Sequence, residues 1–288
     1  MNSAVRIVIL NYNGEALLPL CLPSVVESAK SAHLPTRVTV LDNESQDQGL
    51  EYVHQTFPEV TIEKATVNRV LCSYNEYLPK ITEPIVILLN NDIRVEPDFV
   101  DPLAEKFLFD PKTFLVAPRV MSFDGSRVES GRCKGKMWFG IFRCDGRYPG
   151  YEKEALTASE TFSSGFGAFS REKFLALKGY DERYLPGIIE DVDLGWRARQ
   201  AGYRLYYEPR SVVYHMGQAS FKKKFGASKI LVIAHRNTFL FMWKNFSGLK
   251  FWVSHLVFLP LRIFVALLKG NLEFSKGFFA ALRIQFKR

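Results

Sequence analysis

Apolar runs separated by polar clusters and amphipathic stretches order the first two thirds of the chain. The runs at 5–10, 37–42 and 84–92 are rich in Val, Ile and Leu and predict strands, with a further strand at 60–64. The stretches between them predict helices over about 15–31, 48–56 and 70–80. Strands apolar on both faces, alternating with helices, predict a mostly parallel sheet flanked by helices. In such sheets ligands gather at the carboxyl ends of the strands. Those ends carry Asn11-Tyr12-Asn13, Asp42-Asn43 and Asn90-Asn91-Asp92.

Downstream the pattern changes. Positions 113–160 are looser and rich in Gly and aromatics, which predicts hairpins or a mobile loop. A helix is expected over 188–202 and an alternating strand over 203–209, with His215 just beyond it. An apolar helix is expected over 230–243. The run 251–268 is interrupted by His255, Pro260 and Arg262, which favours an interfacial or re-entrant helix over a spanning one. Over 271–288 a helical projection groups Phe274, Phe278, Leu282 and Phe286 on one face and Lys276, Arg283 and Lys287 opposite. That pattern suits a helix lying in a membrane surface, and also one packed on the domain or on a second subunit.

Charge sharpens the division. The 288 residues carry +8 overall, but residues 210–288 hold +13 and residues 1–209 hold −5. An acidic body therefore bears a basic, apolar tail, which fits an anionic membrane surface better than nucleic acid. The expected organisation is a domain over 1–220 and membrane-associating helices over 221–288, with oligomerisation through those helices also open. Four scattered cysteines without a C-x-x-C pair fit a reduced compartment, with a Cys133–Cys144 bridge left open. The N-terminal apolar run is too short for a signal peptide, so the body is expected at the cytoplasmic face of the plasma membrane. There is no P-loop, no dinucleotide fingerprint and no nucleophile elbow.

Asp92 follows a buried strand, where it suits either a turn or a Mg²⁺ or Mn²⁺ ion holding a diphosphate. Asp42 suits either an Asx turn or the imide of a uracil or thymine base. Glu190, Asp191 and Asp193 crowd three carboxylates into four residues, so they call for a partner, a helix dipole or a task as a base. His215 is either structural or a second metal ligand beside Asp92.

Taken in order, six segments resemble glycosyltransferase family 2, with its GT-A fold, over about residues 4–220. They are VRIVILNYNG, VTVLDNESQD, NRVLCSYNEYL, VILLNNDIRVEPDFV, SGFGAFSREKFLALKGYDERY and EDVDLGWRARQAGYRLYYEPRSVVYHMG. The metal motif departs from the common Asp-x-Asp by reading Asn90-Asn91-Asp92, as in a subgroup resembling rhamnosyl- and galactofuranosyltransferases. The third segment lacks the usual glycines.

The resemblance implies an inverting transfer of a sugar from a nucleotide-diphosphate donor, with dTDP-rhamnose favoured over UDP sugars. The acceptor would be a hydroxyl of a lipid-linked surface glycan. It implies that Asn11, Tyr12, Asn13, Asp42, Asn68, Asn75 and Asn91 surround the nucleotide, and that Asp92 and His215 hold a divalent cation. Asp191 would be the general base, assisted by Glu190. Gly165, Phe166, Asp193 and Trp196 would lie on the acceptor side, with core packing the alternative for Trp196. A non-catalytic scaffold subunit retaining the fold is the competing reading.

Overall fold

The computed structural model describes residues 4–217 and 225–286. The expected basic run 221–229 lies partly outside the described residues, as does Lys287. Five strands build the first half: β1 (Val5–Asn11), β2 (Thr36–Asp42), β3 (Thr61–Lys64), β4 (Ile85–Asn90) and β5 (Ile93–Val95). Helices α1 (Leu18–Ser31), α2 (Gly49–Thr56), α3 (Tyr74–Tyr77) and α4 (Val100–Phe109) connect or follow them. The region 70–80 is a chain of short turns around α3 rather than one helix; Pro79 lies inside its last turn.

The second half contains β6 (Thr113–Ser122), β7 (Val128–Ser130), β8 (Lys134–Trp138), β9 (Ile141–Asp145), β10 (Ser159–Glu160), β11 (Gly167–Ser170) and β12 (Arg204–His215). Between them lie α5 (Tyr151–Glu154), α6 (Arg171–Ala176) and α7 (Glu190–Gln200). The looseness expected over 113–160 is only partly found. β6 is a long buried strand inside the main sheet, and β8–β9 is a separate hairpin.

The main sheet runs β10-β12-β6-β11-β4-β1-β2-β3, with β5 paired to β12 and β7 to β6. β1, β2, β3 and β4 are mutually parallel, whereas β11 runs antiparallel to β4 and β6. Side-chain alternation explains its two-sided cover. Val5, Ile7 and Ile9 of β1 enter one core with α1 and α4, while Val8 and Leu10 enter another with Tyr74, Phe174 and Leu194. This is the GT-A arrangement of a mainly parallel sheet flanked by helices.

Three helices close the chain: α8 (Ala227–Asn245), α9 (Leu249–Leu268) and α10 (Leu272–Gln285). A third core joins them to the β8–β9 hairpin through Phe142, Phe162, Phe239, Phe241 and Met242. The tail is thus fastened to the body. The aromatic face of α10 is turned inward: Phe274 and Phe278 pack on Phe239 of α8, and a side chain at Gly277 would strike the backbone of Arg236. Phe286 remains exposed. The exposed apolar face lies instead on α9.

The α9 polar positions that interrupt its apolar run explain the fold. His255 is buried, bonded through Nδ1 to the Gly140 carbonyl and through Nε2 to Trp243 Nε1. Arg262 donates to the carbonyls of Trp138 and Phe139. These residues face the hairpin, while Leu249, Val253, Leu256, Val257, Leu261, Phe264, Leu267 and Leu268 are exposed. On a helical wheel these eight fill one stripe of roughly 140°, with Trp252 and Val265, also exposed, flanking its two edges. α9 is long and apolar enough to cross a membrane by length and composition. All four cysteines are free thiols.

Candidate active site

The ends of β2, β1 and β4 are stitched by a polar relay. Asn91 Nδ2 donates to Asn11 Oδ1 at 2.8 Å, and Asn11 Nδ2 donates to Asp42 Oδ1 at 3.2 Å. Ser45 closes the first loop, its N–H on Asp42 Oδ2 and its hydroxyl on Asp42 Oδ1. The Asx turn weighed for Asp42 therefore exists, and the buried carboxylate still has lone pairs to spare. Asn13 adopts a left-handed φ of 48° and accepts from the Gln46 N–H, tying the first loop to the second. Tyr12 is exposed at the same edge. Gly14 is required here: a Cβ on it would overlap the Asn11 and Asn91 amides.

Asn68 accepts from the Val70 N–H, and its own N–H donates to Glu44, so the 68–70 segment lies beside the Asp42 loop. Asn43 Nδ2 donates to the Val70 carbonyl, reinforcing that contact. Asn75 is placed differently from expectation. Its amide makes a two-way bond with the Tyr180 backbone, Nδ2 to O at 2.7 Å and Oδ1 from N–H at 2.9 Å. It fastens α3 to the segment after α6 and is not part of the relay.

Asp92 and His215 meet because β12 continues past its expected end. Its last residues pair with β5, His215 opposite Ile93. Asp92 Oδ2 then lies 3.4 Å from His215 Nε2. Asp92 Oδ1 is buried with no hydrogen-bond partner. An orphaned buried carboxylate oxygen beside an imidazole is a donor set that fits a divalent cation whose remaining ligands come from phosphate and water. No cluster of three or more His, Cys, Asp or Glu suited to a metal occurs among the described residues. Protein donors are thus limited to this pair.

The base candidates open α7. Ile188 and Ile189 precede them with φ of 72° and 83°. Two β-branched residues in left-handed conformation cost on the order of 1–3 kcal/mol each and persist only where surroundings impose them. Here α8 imposes them. Buried Asn237 Nδ2 donates to the carbonyls of Tyr184, Gly187 and Ile188, and Arg236 donates to that of Leu185.

The crowded acids are resolved in three ways. Asp193 is fully buried and accepts from the Tyr184 hydroxyl, Arg197, Lys244 and Asn245. It anchors α8 to α7 and is not free to meet an acceptor. Burial raises the Asp191 carboxyl above the ordinary value, opposed by the N–H groups at the start of α7 and by the neighbouring Ser163 hydroxyl. Glu190 is buried with Oε2 unpartnered, and burial, followed by the Asp191 charge, pushes its carboxyl up to about 8. Glu190 therefore holds its proton through neutral pH, and Asp191 is the member of the pair that ionises first.

Ser163 is a site residue that motif reading missed. Gly195 lets it approach α7, since a Cβ there would meet the Phe162 carbonyl. Three residues on, the Phe166 ring packs on His215 with centroids 5.6 Å apart. The segment 163–166 thus spans from the base pair to the Asp92–His215 pair. Gly165 lies within it, with open space where a side chain would stand. Trp196 packs on Phe246 and Phe241, so it belongs to the tail interface rather than the acceptor side.

This fold, with a polar strand edge and a helix-borne carboxylate pair, defines a nucleotide-sugar glycosyltransferase. The chain belongs to glycosyl transferase family 2, whose family model matches residues 6–175. It is similar to N-acetylglucosaminyl-diphospho-decaprenol L-rhamnosyltransferase of Mycobacterium tuberculosis (strains CDC 1551 / Oshkosh and ATCC 25618 / H37Rv). Identity is 26% over 272 residues, covering 86% of this chain and 87% of the relative. Among solved structures it is similar to GalNAc-T7 with UDP, GalNAc and Mn²⁺, at TM-score 0.61 and 19% identity over 81% of this chain. The chain spans about half that protein's length, 47%. The mannosyltransferase PcManGT of Pyrobaculum calidifontis, in complex with GDP-Man and Mn²⁺, aligns at TM-score 0.54 and 19% identity. That match covers 96% of this chain and 73% of the other. The chain is therefore a rhamnosyltransferase-like glycosyltransferase of the GT-A fold.

Proposed function

We propose that the protein transfers rhamnose, with inversion, from dTDP-rhamnose to a hydroxyl of a polyprenyl-diphosphate-linked glycan at the cytoplasmic membrane face. The carrying observation is the 163–166 segment, which links Asp191 through Ser163 to His215 through Phe166. Donor and acceptor groups can then meet across one short strip of chain. The similar mycobacterial enzyme, named for a lipid-diphosphate acceptor and for rhamnose, supports the choice of substrates.

Asp42, with Asn11 and the loop at Asn13, holds the base, while the 68–70 segment borders it. Asp92 and His215 would hold the cation, which supplies charge neutralisation for the departing diphosphate. Asp191 takes the proton of the attacking acceptor hydroxyl. Burial raises its carboxyl, which suits a base, while the N–H groups at the first turn of α7 and Ser163 oppose that rise. Glu190, protonated beside it, leaves Asp191 as the pair's single acceptor of that proton. Attack from the face opposite the diphosphate inverts the anomeric carbon. The exposed stripe of α9 rests on the membrane and brings the site to a lipid-bound acceptor.

Purified protein, given N-acetylglucosaminyl-diphospho-polyprenol with dTDP-rhamnose, UDP sugars or GDP-mannose, tests the reading. Rhamnosylated lipid, dependent on Mn²⁺ or Mg²⁺ and lost in Asp92→Ala, is the expected product. Turnover of another donor with this lipid would overturn the donor assignment. Transfer only to water-soluble acceptors would overturn the lipid acceptor.

A further inference from the structure

The β8–β9 hairpin and the tail helices enclose a groove of about 780 Å³ that no role described above uses. Ile189, which directly precedes Glu190-Asp191, lines it. Phe139, Phe258, Leu261 and Val265 give it apolar walls. Leu261 and Val265 are also exposed on α9, so the groove is continuous with the apolar surface of that helix.

The same groove is cationic. Arg143, Arg262 and Lys269 line it against one carboxylate, Asp145, which faces Lys134 across the hairpin. Arg143 stands directly opposite Lys136 in the β8–β9 register, a like-charge pairing that destabilises a hairpin lacking a counter-ion. The Arg143 side chain makes no hydrogen bond or ion pair among the described residues. Arg262 spends Nε and one terminal nitrogen on backbone carbonyls and meets no carboxylate among them. Burial, and then the nearby Arg143 charge, hold its guanidinium below its ordinary pKa.

A retained cation cluster set in an apolar groove asks for an anion carrying a hydrocarbon. We propose that the groove seats the polyprenyl diphosphate of the acceptor: Arg143, Arg262 and Lys269 hold the diphosphate, and the prenyl chain leaves along the exposed stripe of α9. The sugar on the diphosphate then points past Ile189 toward Asp191. The inference rests on the reading of the acceptor as lipid-linked, and it adds the residues that select a diphosphate over a generic anionic surface.

Full-length protein is titrated with phosphatidylcholine vesicles carrying either a polyprenyl diphosphate or phosphatidylglycerol at matched total charge. The wild type is expected to prefer the diphosphate vesicles by about tenfold. Arg143→Glu should erase that preference, while Lys250→Glu, elsewhere on α9, should weaken both vesicles alike and keep the ratio. Nucleotide-induced thermal stabilisation, unchanged in Arg143→Glu, reports an intact fold. Equal wild-type binding to both vesicles, or an unchanged ratio in Arg143→Glu, would overturn the groove. Lipid selectivity without sugar transfer would leave the groove standing and sink the proposed reaction. Sugar transfer with an unchanged acceptor KM in Arg143→Glu would do the reverse.

Discussion

The two halves of the site are built by opposite means. On the nucleotide side, Asp42, Asn11 and Asn91 bond one another across adjacent strand ends, and their support, Ser45, comes from the loop directly after β2. On the base side, Glu190 keeps an unpartnered oxygen, two isoleucines take left-handed backbone, and both are fixed by a helix some fifty residues away. A self-satisfied relay gives a rigid seat for a base and phosphates. A strained, externally clamped turn gives a carboxylate whose position depends on the tail. In the proposed reaction α8 fixes the position of the base, and any disturbance of the tail should reach kcat before it reaches donor binding.

The largest test of this contrast is Asp191→Asn. It removes the proposed base but leaves the Asp42–Asn11–Asn91 relay intact. Transfer should fall by about 10²–10⁴-fold, the usual worth of a positioned base, while thermal stabilisation by the nucleotide stays unchanged. A loss of nucleotide binding of similar size would merge the two halves and break the comparison.

Asn237→Ala comes next. It strips three buried carbonyls of one donor, and an unmet buried group costs about 1–3 kcal/mol. The released Ile188-Ile189 turn should displace Asp191, and a misplacement of this kind costs up to about 10²-fold in kcat. KM for the donor should hold, and steady-state kinetics separates the two constants. Equal losses in kcat and donor affinity would show that α8 supports the whole domain rather than this turn.

Legibility in the sequence divides along the same line. The strands at 5–10, 37–42 and 84–92 and their polar ends were readable because each motif is local: an apolar run, then the residues that cap it. Ser163 was missed because nothing in FSSGFG marks which serine meets a carboxylate. That contact depends on Gly195, thirty-odd positions later, allowing close approach. Asn75 and Asp193 were assigned to ligands because an Asn or Asp in a motif looks the same whether it binds substrate or backbone. Their partners, Tyr180 and Lys244, come from distant segments. The inward face of α10 follows the same rule: its amphipathicity tells that one face is buried, and only the structure shows that Phe239 of α8 covers it.

A smaller effect should follow from Gly14→Ala on the nucleotide side. The added methyl would push into the Asn11 and Asn91 amides. Overpacking of this sort costs about 1–3 kcal/mol. Spent on the relay, it corresponds to about tenfold in nucleotide affinity. Titration of the nucleotide measures it, and kcat at saturating donor should be nearly unchanged. A fall in kcat at saturation would mean that the relay also positions the sugar.

The subtlest test is the pH dependence of stability in Glu190→Gln. Burial raises the folded-state carboxyl from 4.5 to about 8. Below the unfolded value both states are protonated and no penalty exists. Between the two values the folded chain holds a proton that the unfolded chain has released, so stability falls as pH rises through this window. Above about 8 the penalty is complete and constant. Asp191, raised in the same direction, adds to the slope at its acidic end. Glutamine cannot titrate, so the urea midpoint of Glu190→Gln should decline less between pH 5 and pH 8 than that of the wild type. Its transfer activity at neutral pH should stay close to wild type, because an amide resembles the neutral carboxyl that the pair already presents. A slope equal to the wild type's would mean that Glu190 is ionised throughout. The base side would then hold two charges, and the division of labour between Glu190 and Asp191 would fail.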